Sequence, residues 1–151
     1  MILTTKGRYA VMAMIDISDD QSNRPISLHV ISERQNISLS YLEQIFTRLK
    51  KSGIVKSIKG PGGGYTLGKD SKEITIAEII SATGEKIKMT RCNNKKDGCI
   101  ASKKTRCKTH DLWHGLEQRI VSYLHSISLH DVCNHNIEAF SFLMENTISQ
   151  N

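Results

Sequence analysis

Three observations predict a mainly α fold with one small β-hairpin, a winged helix-turn-helix extended by a long dimerisation helix. Apolar residues recur at helical spacing in three short stretches before Gly53. The period then changes to strand-like alternation around a glycine-rich tip, and a long helical stripe begins after His110. Helix, short turn, helix and then hairpin is the outline of a winged helix.

Thr4 or Thr5 can cap the first helix, Lys6 to about Asp19, whose Tyr9, Ala10, Ala13, Met14 and Ile17 share one face. The polar run DDQSNRP ends it. Ser27 caps a second helix over Leu28–Gln35, buried through Val30 and Ile31 and stopped by Asn36. Ser38 or Ser40 starts the third: Ser40 and Glu43 have capping-box spacing, Leu42, Ile45, Phe46 and Leu49 form the buried stripe, and Gly53 closes it. In the hairpin, Ile54, Val55, Ile58, Tyr65 and Leu67 flank the tip Gly60-Pro61-Gly62-Gly63-Gly64. Glycines at a tip let backbone N–H groups come near a surface such as phosphate.

Thr75 and Glu78 have capping-box spacing for a short fourth helix, Ile76 to about Ala82, closed by Thr83-Gly84. From Asp111 to about Ile127 a long helix is striped by Leu112, Leu116, Ile120, Tyr123, Leu124 and Ile127. It is too apolar to stand alone, so it is expected to pair with its twin in a two-fold homodimer. Ser128 caps a last short helix near Leu129 to Val132. The chain therefore divides into 1–84, the winged helix; 85–110, a loop; 111–133, the dimerisation helix region; and 134–151, a tail mixing apolar residues with turn-formers.

The totals narrow the partners. A chain of 151 residues with 38% hydrophobic and 5% aromatic content has a modest core and room for a dimerisation element. No apolar stretch is long enough for a membrane span, and the start MILTTKGRYAVMAMI lacks the pattern of a signal peptide. A cytoplasmic protein is expected, with cysteines that serve as metal ligands or reactive thiols rather than disulfides. The net charge of +6 favours an anionic partner. Arg48, Lys50, Lys51, Lys56, Lys59 and Lys69 cluster on the end of the third helix and the hairpin, with no acid between Glu43 and Asp70. Any one of these lysines can be a solvated surface charge; the set, placed on a wing, points to double-stranded DNA and to salt-sensitive binding.

Cys92, Cys99, Cys107 and His110 fall on a stretch too rich in Lys, Asn, Gly and Ser to form a core. Thiolate and imidazole are ligands for zinc or an iron-sulfur cluster. The spacing Cys-x6-Cys-x7-Cys-x2-His departs from the close cysteine pairs of zinc knuckles and so favours the cluster. Cys133 reads as a small buried hydrophobe, and His114, His125, His130 and His135 as ordinary polar residues. An iron-sulfur carrier or thiol enzyme is the alternative from another class, but no Cys-x2-Cys redox pair, nucleophile-base constellation or nucleotide loop supports it.

The runs LTTKGRYAVMAMID and ISERQNISLSYLEQIFTRLKKSGIVKSIKGPGGGYTLGKD, with three cysteines and a following histidine, resemble the IscR-type iron-sulfur cluster regulators and their wider family of winged-helix repressors. The resemblance covers residues 1 to about 133. It implies a homodimeric transcription regulator, repressor or activator, that carries a 2Fe-2S cluster and reports cluster supply to promoters of cluster-assembly genes. It assigns Cys92, Cys99, Cys107 and His110 as cluster ligands, although the first two gaps are longer here than the usual five residues. It places DNA contacts at Ser40, Tyr41, Glu43 and Gln44 on the third helix and at Lys59, Gly60 and Pro61 on the wing. Position 59 is lysine where arginine is common, and lysine lacks the planar fork that grips guanine or phosphate. A related regulator sensing nitric oxide or redox state is the alternative within the DNA-binding class. Glu43 has three roles open to it: helix cap, acceptor from cytosine, or repulsive filter against phosphate. The mechanism expected is a population shift in which cluster binding orders residues 92–110 and biases the DNA-reading helices.

Overall fold

The structure is a computed structural model that describes residues 4–20, 24–89 and 107–136. Its elements are α1 (Thr5–Asp19), α2 (Leu28–Gln35), α3 (Leu39–Lys51), β1 (Val55–Ile58), β2 (Gly64–Leu67), a 3-10 turn (Ser71–Glu73), α4 (Ile76–Ala82), α5 (His110–Ser126) and α6 (Leu129–Cys133). The expected fold class, mainly helical with a two-stranded antiparallel wing, is the one observed. Among the described residues no helix is long and apolar enough to cross a membrane.

The core is one cluster in which the apolar faces of α1 to α4 meet. Ala10, Ala13 and Met14 of α1 and Leu42, Ile45, Phe46 and Leu49 of α3 are fully buried, as their helical spacing predicts. On α2 one member of the expected pair holds: Ile31 is buried, together with Leu28, while Val30 is half-buried at the edge of the core. Ser27 accepts from the Val30 amide at 3.3 Å, and Asn36 ends α2 in the left-handed region at φ 52°. Asn tolerates that conformation better than most side chains. Arg34 of α2 donates to Asp16 and Asp20 at 3.1 and 3.2 Å. Ion pairs this exposed orient α2 against α1 more than they stabilise the fold.

Two expected caps are corrected. Neither Thr4 nor Thr5 closes α1 through its side chain: Thr4 occupies the cap position without a side-chain bond. Instead Glu85, far along the chain, accepts from the Gly7 amide at 3.3 Å and so places a carboxylate against the positive end of α1. The Ser40–Glu43 box is absent because α3 begins two residues earlier than a Ser40 cap requires, at Leu39 with Ser38, the other expected start, as cap. Ser40 then lies inside the helix, 2.9 Å from the Ser38 hydroxyl, and Glu43 stands two residues beyond the box position.

The wing pairs Val55 with Leu67 and Ile58 with Gly64. Ile26 adds a bridge on the other side of Tyr65, through bonds of 3.0 and 2.8 Å. A Cβ at Gly64 would collide with the Ile26 carbonyl, which explains glycine there.

The C-terminal elements fold back onto the winged domain, a return not visible in local periodicity. Thr75 and Ser128 form an antiparallel bridge, flanked by Ile76 N to Ile127 O at 3.0 Å and Leu129 N to Ile74 O at 2.7 Å. Leu129 is fully buried in the main core. Each side of the bridge opens a helix, and each helix has a complete capping box: Thr75–Glu78 on α4, as expected, and Ser128–Asp131 on α6, whose acidic partner the sequence reading passed over.

Both box carboxylates are held below their ordinary pKa. For Glu78 the backbone bond from Thr75 is the main cause, with Lys69 adding to it; for Asp131 it is the Ser128 hydroxyl and then its amide. A depressed folded pKa gives stability that is present above the unfolded value and lost as pH falls through the folded one. Acid from about pH 4 downward is thus expected to loosen α4 and α6 together. Thermal unfolding across that range checks this, with Asp131→Asn expected to flatten the acid limb; an unchanged limb contradicts it. Ser128→Ala at neutral pH is expected to cost about 1 kcal/mol.

Candidate nucleic-acid interface and metal-ligand residues

Helix α3 turns its apolar stripe inward, so the complementary face is fixed by helical geometry. Ser40, Glu43, Gln44 and Thr47 are exposed on it. Thr47 was missed as a surface candidate, although it lies three and four residues beyond Gln44 and Glu43; its hydroxyl donates to the Glu43 carbonyl at 2.8 Å. Tyr41 is half-buried, its ring edge-on to Tyr9 with centroids 5.9 Å apart. The missing box removes the cap role for Glu43 and leaves its carboxylate on an open surface.

The wing is seated against α3 by Phe46 and Tyr65, whose rings meet at 4.8 Å and 63°. Its tip turns through a Gly63 N to Gly60 O bond of 2.9 Å, with Gly60 and Gly62 at φ 105° and 72°, which non-glycine residues rarely adopt. Lys56, Lys59, Gly60 and Pro61 are all exposed. Ile58, an apolar group between the two wing lysines, is 48% exposed.

Two basic residues of the set are engaged within the fold. Lys69 donates to Glu78 at 3.0 Å. Arg48 donates from Nη1 to the Thr83 carbonyl at 2.8 Å, joining α3 to the end of α4. Lys50 and Lys51 at the end of α3 and Lys56 and Lys59 on the wing are exposed as well, so the whole basic set lies at the surface.

Of the four expected ligands, Cys92 and Cys99 lie outside the described residues, as do residues 137–151 of the tail. Cys107 and His110 come together at the start of α5. The His110 amide donates to the Cys107 carbonyl at 3.0 Å, and the Cys107 Sγ lies 3.7 Å from Thr109 Oγ1. His110 is 5% exposed, unlike an ordinary surface or capping histidine. Its ring stacks on His114 with centroids 5.9 Å apart and planes 16° from parallel. The positive end of a 17-residue helix favours a thiolate at this place. A soft sulfur and a buried imidazole one turn apart fit the donor chemistry of an iron-sulfur or zinc site. Among the described residues no three His, Cys, Asp or Glu side chains converge. Cys133 is half-buried against the core, with burial the main cause of a raised thiol pKa, as a packing residue requires.

The rest of α5 is half-buried or exposed, with Leu124 packed against the edge of the core. Apart from His110 it buries no residue, and Leu112, Trp113 and Leu116 are exposed.

Residues 3–135 match the Rrf2 family, iron-dependent transcriptional regulators. The chain is 53% identical over 135 residues to the HTH-type transcriptional regulator IscR of Photorhabdus laumondii, covering 89% of this chain and 80% of the relative. It is 54% identical over 132 residues to the regulator of the same name from Xenorhabdus nematophila, covering 87% and 79%. Among solved structures, CymR (YrzC), the global cysteine regulator of B. subtilis, is similar with a TM-score of 0.73 at 30% identity, over 89% of this chain and 98% of that one. T. potens IscR is similar with a TM-score of 0.71 at 33% identity, over 92% and 90%.

Proposed function

The chain belongs to the Rrf2 family of iron-dependent transcriptional regulators, and from that premise we propose that it is a cytoplasmic homodimer that reports iron-sulfur cluster supply to promoters of cluster-assembly genes. It is a DNA-binding transcriptional regulator and not an enzyme. The observation that carries the proposal is the exposed row Ser40, Glu43 and Gln44 beside a glycine-tipped basic wing, in a chain about half identical to regulators named IscR.

The division of labour follows the chain. Residues 1–84 read DNA: α3 presents Ser40, Tyr41, Glu43 and Gln44 to base edges, while Lys56, Lys59, Gly60 and Pro61 meet the backbone. Residues 111–133 pair two copies through the open face of α5, giving two reading heads for a palindromic site. Residues 85–110 carry Cys92, Cys99, Cys107 and His110, which would hold a 2Fe-2S cluster. When bound, such a cluster supplies an iron- and redox-responsive group. His110, buried and fixed at the first turn of α5, ties that group's ligands to the pairing helix.

The test has two parts. Anaerobically purified protein is expected to show visible charge-transfer absorption, and cluster-loaded and cluster-free protein are expected to select different DNA sites from a random pool. A colourless zinc-loaded sample overturns the cluster, and identical selections overturn the sensing. In the same selection Glu43→Ala is expected to broaden the set of sites, because an exposed acid in a reading helix rejects sequences that place phosphate or a carbonyl against it. An unchanged preference would rule out that role.

A further inference from the structure

Residues 83–89, which join α4 to the cysteine-bearing stretch, are fastened to three different helices. Thr83, 1% exposed, offers its carbonyl to Arg48 of α3 at 2.8 Å. Glu85 accepts from Gly7 in the first turn of α1 at 3.3 Å. The Met89 amide donates to Glu117 Oε2 on α5 at 2.8 Å, and Ile87 between these points packs against the core. Beyond Met89 the chain runs to Cys92 and returns at Cys107 and His110, where α5 starts.

The sequence keeps these attachments open at two glycines. Gly84 sits at φ 82°, and a Cβ there would collide with Arg48 Nη1. A Cβ at Gly7 would lie 2.7 Å from Glu85 Oε2. Arg48 spans from the reading helix to a buried carbonyl, so one arm of its guanidinium is held by the fold although the residue is exposed. A displacement of 83–89 must therefore either break the bond at Thr83 or carry the C-terminal end of α3 with it.

We propose that Arg48 is a positioning residue: through Thr83 it couples the reading helix to the 83–89 strap, so that a change at the cysteine-bearing stretch alters how α3 meets DNA. This rests on the ligand-responsive function proposed above. The physical warrant is a charge-assisted bond from one rigid helix to a short strap whose other end adjoins the sensor residues.

The experiment uses full-length protein, cluster-loaded and chelator-stripped, with the duplex that wild type selects from a random pool. Affinity is measured over a salt series for Arg48→Met, Arg48→Lys and Gly84→Ala. Arg48→Met removes the donor, Arg48→Lys keeps charge and one donor, and Gly84→Ala displaces the guanidinium without changing its charge. Arg48→Met and Gly84→Ala are expected to shrink the loaded-to-free affinity ratio by about three- to tenfold. The salt slope should stay as in wild type, and Arg48→Lys should retain most of the ratio. In cluster-free protein without DNA, amide exchange at 83–89 should rise in Arg48→Met and not in Arg48→Lys. Equal weakening of both forms, with the salt slope reduced by about one per reading head, makes Arg48 a phosphate contact and overturns the proposal. An unchanged ratio with unchanged exchange overturns it as well. A wild-type ratio of one is a separate failure, seen before any substitution, and removes the ligand-responsive function together with this coupling.

Discussion

Replacing Leu112 and Leu116 together by aspartate is expected to make the protein monomeric and to weaken binding to a two-half-site duplex by about a hundred- to ten-thousandfold. The two leucines are 64% and 38% exposed on one side of α5, with Trp113 at 42% beside them. Three large apolar side chains left open on one helix of a small domain mark an association surface. In the proposed homodimer a second copy would supply the same stripe under two-fold symmetry, burying apolar area that no part of the described chain covers. The size of the effect comes from linkage and not from lost DNA contacts. Once one head is seated, a tethered second head binds as if at millimolar concentration, and a monomer forfeits that gain. Sedimentation and anisotropy on full and half sites measure both quantities. A double variant that stays dimeric would place the interface elsewhere.

Phe46→Ala carries the largest expected loss of stability from a single substitution, about 3–5 kcal/mol, against a total that for small domains is about 5–15 kcal/mol. Phe46 is fully buried, and it is the residue through which α3 seats the wing on Tyr65. Tyr65 in turn bridges to Ile26 on both its backbone groups. Truncation therefore opens a cavity at the joint between reading helix and wing, and the loss far exceeds that of any single cap. Chemical denaturation at fixed protein concentration reads it. A loss under about 1 kcal/mol means that the site collapses around the alanine and that Tyr65 finds another partner.

Much of this was legible residue by residue. The stripe of α3, Ser27 as the cap of α2, the Thr75–Glu78 box and the glycine tip are local features, set by side-chain periodicity and by hydrogen bonds three residues apart, so reading along the chain finds them. The closeness of Cys107 and His110 at the start of α5 was legible from their spacing, and the basic wing as a charge pattern. What stayed hidden involves distant partners. Glu85 closing α1, Arg48 holding Thr83, and Ser128 bridging Thr75 all join residues whose separation in sequence carries no periodic signal. The absent Ser40–Glu43 box shows the converse error: the spacing is right, but the turn from Asn36 and the burial of Ile37 start α3 at Leu39.

The sequence by itself determined the winged helix, the exposed face of α3, the cysteine-rich stretch and the apolar helix after it, because periodicity, capping chemistry and charge act over a few residues. Only the tertiary structure decided which of those residues are available for function. It bonds the exposed Arg48 and Lys69 to Thr83 and Glu78, leaves Glu43 open, buries His110 and ties residues 83–89 to three helices, because a side chain's partner is set by packing between distant segments.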